Sequence, residues 1–222
     1  MVQTASLDRR AADSELTAGA WDMHHSSKLA VAQAGSVLGF DLRDSGTAAA
    51  LNIPGAHTGR IRDIDYNPNK PYCMMTCGDD CAVRFWDLRH TGASLCTLRG
   101  HSHWVWTSRY NPFHDQLVLS AGTDATVSLW RVSSISSAPL LDIDPDDEDM
   151  DDPAAAEGKS RADMGSQAAE MDALVNSFSE HEESVYAVSW SLSDAWTFAS
   201  VSFDGRMVIN HVPSAEKYKI LL

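Results

Sequence analysis

The chain is short of several features whose absence narrows its role. No run approaches the roughly 18 apolar residues that a membrane-crossing helix needs. The first twenty residues are polar and hold no apolar leader core, so secretion is not expected. There are four cysteines and no C-x-x-C pair. Cys73, Cys77 and Cys81 are spaced four apart. Without paired ligands they read as free thiols packed as small hydrophobes in a reducing compartment rather than as a zinc site. Basic residues are scarce: 17 Lys and Arg stand against 31 Asp and Glu, a formal net charge of −14. That balance argues against nucleic acid, whose binding rests on neutralising phosphates. The chain also lacks G-x-x-x-x-G-K-[ST], G-x-S-x-G and H-E-x-x-H, so no motif asks for a cofactor, a metal or a catalytic nucleophile.

What the chain does have is a repeat. The stretch from Cys77 to Arg89 reads C-G-D-D-C-A-V-R-F-W-D-L-R, a tight turn followed by an alternating strand. His57 lies 44 residues before His101, and Trp86 lies 44 before Trp130. A period of about 40–45 with an early His and a late Trp-Asp marks the blades of an all-β propeller, four strands to a blade. An apolar residue follows each His by four positions (Ile61, Val105, Val185), and a large aromatic by nine (Tyr66, Tyr110, Trp190). Asn67-Pro68 and Asn111-Pro112 then signal turns.

One polar constellation recurs within this frame: His57, Thr76, Asp80 and Trp86, then His101, Ser120, Asp124 and Trp130. A turn Asp can accept from the imidazole. The imidazole can meet the hydroxyl, and the hydroxyl can accept from the indole N–H. Buried polar groups must be paired, so a closed network of this kind fixes a blade's geometry. A single set resembles a Ser–His–Asp triad, but its return in successive blades favours a structural role. This pattern resembles the WD-repeat β-propeller family. A further segment keeps His181, Ser200 and Asp204 but carries Asn210 where Trp is expected, so its network must close differently or stay partly open. The first is the most worn, with Phe40-Asp41 for Trp-Asp and Ala34 at the turn Asp position.

The spacing predicts about four blades, at 13–45, 57–99, 100–132 and 172–222, after an N-terminus disordered over 1–12. Between the third and fourth lies an insertion over 133–165 holding the run D-I-D-P-D-D-E-D-M-D-D, whose charge density predicts disorder. Asp172–Phe178 is expected to rejoin the sheet as an outer strand, with a short helix around 166–174 as the runner-up. The apolar C-terminal tail is expected to pack on the last blade.

Several stretches go beyond the generic repeat: D-I-D-Y-N-P-N-K from Asp63, H-S-H-W-V-W from His101, H-E-E-S-V-Y-A-V from His181 and the terminal K-Y-K-I-L-L. Together they resemble the family of WD-repeat proteins that interact with the EARP and GARP complexes. The resemblance implies a propeller of about seven blades, of which this chain would supply the C-terminal portion. It also implies a non-catalytic adaptor that binds subunits of those vesicle-tethering complexes. Such an adaptor would be cytoplasmic and peripheral at the trans-Golgi network and endosomes, supporting endosomal recycling and retrograde transport. Expressed alone, an arc of blades leaves its end faces open, and self-association is expected.

Positions three and five after each His differ in chemistry from blade to blade, unlike the packing positions between them. Arg60, Arg62, Trp104, Trp106 and Tyr186 are therefore the candidate partner-binding residues, since aromatics and Arg anchor interfaces. The alternative is that the two Trp fill space between blades. Trp86-Asp87-Leu88-Arg89 also resembles the W-D-x-R box of propellers that serve cullin–RING ubiquitin ligases, in which Arg89 would contact the ligase's adaptor. A generic protein-interaction scaffold is the remaining alternative.

Overall fold

The computed structural model describes residues 15–43, 49–137 and 172–221. It builds four antiparallel sheets in chain order. The first holds β1 (Leu16–Trp21), β2 (Lys28–Gln33), β3 (Ser36–Asp41) and β4 (Leu51–Ile53). The second holds β5 (Ile61–Tyr66), β6 (Cys73–Gly78), β7 (Ala82–Asp87) and β8 (Cys96–Arg99). The third holds β9 (Val105–Tyr110), β10 (Leu117–Gly122), β11 (Val127–Val132) and β12 (Asp172–Phe178). The fourth has three strands, β13 (Val185–Trp190), β14 (Thr197–Ser202) and β15 (Met207–His211). The first strands of successive sheets lie against one another, as the inner strands of a propeller do.

Strand alternation explains the stacking. Side chains on a strand point alternately to its two faces, and β6 and β10 are buried on both. On β6, Met74 packs towards the first blade with Ala30, Val37 and Trp86, while Met75 and Cys77 pack towards the third with Tyr110, Val118 and Trp130. On β10, Val118 faces back and Leu117, Leu119 and Ala121 face forward to Val185, Trp190 and Phe198. The core is thus three layers between four blades. The outer blades end in exposed apolar side chains, Leu16 and Trp21 at one end and Met207 and Ile209 at the other.

Polar staples join neighbouring blades. Asp63 on β5 accepts from Thr107 Oγ1, the Ser108 amide and Arg109, and Asp65 accepts from the Tyr110 amide. Each Asn-Pro turn does double duty: Asn67 Oδ1 caps the amides of Asn69 and Lys70 while its Nδ2 donates to Asp115 of the next blade. Asn111 likewise caps Phe113 and His114 and donates to the Ala195 carbonyl.

Several expectations are corrected. The insertion does not begin at residue 133. Ser133–Ile135 form a 3-10 turn, Asp172 accepts from the Ser134 amide and hydroxyl, and buried Asp115 accepts from the amide and hydroxyl of Ser137. The rest of that insertion and the N-terminal 1–12 lie outside the described residues. The strand expected over Asp172–Phe178, by contrast, is present as β12 and pairs with β11 along its length, which rules out the runner-up helix over 172–174. The tail forms a helix, α1 (Ser214–Leu221), and it bridges two blades instead of resting on the last alone. Its buried Glu216 pairs with Arg131 of β11 at 2.8 Å, and Lys217 lies over Trp196. In the first blade the turn between β2 and β3 holds only Ala34 and Gly35. Ala34 takes a positive φ of 51° there.

Candidate functional site

The conserved spacing of the polar residues becomes a chain of hydrogen bonds. In the second blade His57 Nδ1 is 2.7 Å from Asp80 Oδ1, and His57 Nε2 is 2.8 Å from Thr76 Oγ1. Trp86 Nε1 donates to that same Thr76 oxygen at 2.9 Å. The third blade repeats it: His101 Nδ1 to Asp124 Oδ2 at 2.9 Å, Nε2 to Ser120 Oγ at 2.7 Å, and Trp130 Nε1 to Ser120 Oγ at 2.7 Å. One proton arrangement satisfies every group. Nδ1–H donates to the carboxylate, the hydroxyl donates to Nε2, and the hydroxyl oxygen accepts from the indole. Each Asp also caps the turn, Asp124 taking the amides of Ser102 and Thr126. Burial raises the Asp124 pKa, but the donors around it outweigh burial and hold it at about 2.

The fourth blade keeps the first half only. His181 meets Asp204 at 3.0 Å and Ser200 at 2.9 Å, but the position ten residues after Ser200 is Asn210, and its Nδ2 is buried without a hydrogen-bond partner among the described residues. All three hydroxyls are sealed, with Thr76 and Ser120 wholly buried and Ser200 nearly so.

A second constellation lies where the inner strands begin. The register between β5 and β6 skips Arg62, that between β9 and β10 skips Trp106, and that between β13 and β14 skips Tyr186. Each is the extra residue of a β-bulge, a device that re-aims a side chain out of the sheet's alternation. This is the physical reason that the fifth position after each His varies while the fourth (Ile61, Val105, Val185) is buried.

The bulges bring most of the candidate residues onto one rim. Arg62 forks onto Asp79 through Nε (2.6 Å) and Nη2 (2.9 Å), and its guanidinium lies 5.2 Å from the Trp104 ring. Trp106 stands edge-on to Phe203 at 5.7 Å, and Tyr186 lies 4.9 Å from Phe203. Trp104 (39%), Tyr186 (45%) and Phe203 (63%) remain exposed. The Trp106 Nε1 is buried with no acceptor among the described residues. The two Trp thus touch neighbouring blades and still contribute to an open surface. Arg60 reaches Glu15 at 3.3 Å, away from this aromatic group. Phe203 escaped the sequence reading. Its signal was its place immediately before the turn Asp, where Asp79 and Thr123 stand in the other blades.

Arg89 sits elsewhere. It forks onto Asp87 through Nε (2.9 Å) and Nη2 (2.7 Å), holds that carboxyl at about 2, and lies over Tyr72. Burial raises the pKa of the Cys73 and Cys77 thiols and pushes that of Cys96 up to about 12. Among the described residues no helix is long and apolar enough to cross a membrane.

Serial antiparallel sheets, stacked face to face and locked by His–hydroxyl–Asp networks, define a WD-repeat β-propeller. Residues 172–209 match the WD domain, G-beta repeat, and residues 3–130 match the EIPR1 beta-propeller family. The chain belongs to that EIPR1 beta-propeller family. It is 43% identical to the human protein named EARP and GARP complex-interacting protein 1, across 100% of this chain and 56% of that protein. It is 45% identical to the EARP-interacting protein homolog of Gekko japonicus, across 94% of this chain and 52% of the relative. It is 33% identical to the WD repeat-containing protein DWA2 of Arabidopsis thaliana, across 89% and 49%. The chain therefore spans about half the length of the curated relatives it matches.

Proposed function

We propose that this chain is a non-catalytic adaptor that docks on subunits of the EARP and GARP vesicle-tethering complexes. In this reading it acts at the cytoplasmic surface of endosomes and the trans-Golgi network, in recycling and retrograde transport. The observation that carries the reading is the exposed aromatic rim of Trp104, Tyr186 and Phe203, joined to relatives named for their interaction with these complexes. Rigid aromatic anchors of this kind dominate protein interfaces. A non-catalytic role is supported by the sealed hydroxyls, whose lone pairs serve His and Trp and leave no approach for a substrate.

The test is affinity capture of the tagged chain from cells, with mass spectrometry of what is retained. Tether subunits should appear with the wild type and be lost with Trp104→Ala, while the melting temperature of the variant stays within a few degrees. Undiminished capture by the variant would remove the rim from the docking face, and an unfolded variant would make Trp104 a core residue. A second reading, docking to a cullin-ligase adaptor through Arg89, is favoured by that side chain's exposure (57%) and its pre-set fork on Asp87. Arg89→Ala then removes ligase subunits and spares tether subunits in the same capture.

A further inference from the structure

This inference rests on the rim being the docking face, and it concerns what docks there. The arginines nearest the rim are already engaged: Arg62 with Asp79, and Arg206 with Glu182 at 3.0 Å. One exposed residue beside the aromatic end, Glu183, makes no ion pair among the described residues. Glu183 is close to that end, since its carbonyl accepts from Ser202, the neighbour of Phe203, and the Phe203 amide donates to the Ser184 carbonyl.

The molecule itself shows how this surface holds a guanidinium. Arg62 lies over the Trp104 ring while the Asp79 carboxylate takes two of its N–H groups. At Tyr186 and Phe203 an exposed aromatic pair lies beside the Glu183 backbone, within reach of that residue's exposed side chain, and among the described residues no arginine lies over either ring. We propose that Tyr186, Phe203 and Glu183 receive an arginine side chain from an extended basic segment of a partner protein.

Arginine fits better than lysine because a planar guanidinium can stack on a ring and fork onto a carboxylate at once. The exposed Glu183 carboxylate favours the approach of a basic segment and makes the association salt-dependent.

The test is fluorescence anisotropy with three labelled peptides of one length: Arg alternating with Leu, and the same with Lys or Glu in place of Arg. The full 222-residue chain should bind the Arg peptide, bind the Lys peptide several-fold more weakly, and leave the Glu peptide free. Glu183→Gln, an exposed change that does not touch the core, should weaken the Arg peptide by about tenfold at low salt and by less at high salt. Phe203→Leu should weaken it at both. Equal binding of the Arg and Glu peptides, or an unchanged affinity in Glu183→Gln, overturns the proposal. If neither peptide binds but tether subunits are still captured through Trp104, the arginine site fails and the adaptor reading stands. If the Arg peptide binds as described while capture recovers no tether subunit, the arginine site stands and the adaptor reading fails.

Discussion

In the third blade the Ser120 hydroxyl lies 2.7 Å from both His101 Nε2 and Trp130 Nε1. In the fourth, the Ser200 hydroxyl meets His181 at 2.9 Å and the chain of bonds ends there, because Asn210 replaces the tryptophan. The comparison separates two jobs that the tetrad usually performs together. The Asp–His–hydroxyl half holds the turn, and it survives in the fourth blade because Asp204 still caps the amides of Glu182 and Arg206. The tryptophan half fills the layer between blades. Trp86 and Trp130 each belong to such a layer, while the layer behind Asn210 is filled by Trp190 and Phe198 instead. Turn geometry and interblade packing are therefore separable, and a blade can lose the second without losing the first.

The largest way to break the comparison is Trp130→Ala. It removes both the indole bond and a large buried ring, and should cost about 3–5 kcal/mol in denaturant unfolding. Ser120→Ala comes next. It strands a buried imidazole nitrogen and a buried indole N–H at once and should cost about 2–3 kcal/mol, whereas Ser200→Ala strands one group and should cost about 1 kcal/mol. Equal losses would mean that the tryptophan bond contributes nothing. Asn210→Leu sharpens the contrast in the other direction. Removing an amide whose buried Nδ2 has no partner among the described residues should stabilise the chain by about 1 kcal/mol, read as a raised denaturant midpoint.

The last effect is one of pH. The Asp124 pKa of about 2 lies below its unfolded value of roughly 3.9. Between these values the unfolded chain binds the extra proton. The stabilisation from Asp124 is therefore whole above about pH 4 and lost as pH falls through about 2. Asp124→Asn should flatten that part of the acid unfolding curve. Asp65 works in the opposite sense. Burial raises its pKa to about 6, so its contribution worsens as pH rises from about 4 to 6, and Asp65→Asn should remove that slope.

Much of this was legible because the repeat compares the chain with itself. Period, turn Asp, buried apolar residue and inner aromatic each recurred at constant offsets, and the residues that broke the pattern pointed to the rim. Arg62, Trp106 and Tyr186 stood out as chemically unlike at one repeated position, and the bulge supplies the reason. Phe203, Glu183 and Asp115 were not legible in the same way. Their roles come from neighbours 17 to 22 residues away or further, reached across turns and blades. The tail was misjudged as resting on one blade because the buried partner of Glu216 is Arg131, 85 residues earlier in the chain.

The sequence by itself determined the blade unit, its strands and turns, and the polar set that locks it. These follow from local alternation, turn chemistry and the need to pair buried polar groups within one hairpin system. Only the tertiary structure decided which side chains share a surface. The rim is assembled from bulges in different blades, and its chemistry depends on how the stacked sheets bring Trp106, Tyr186 and Phe203 into contact.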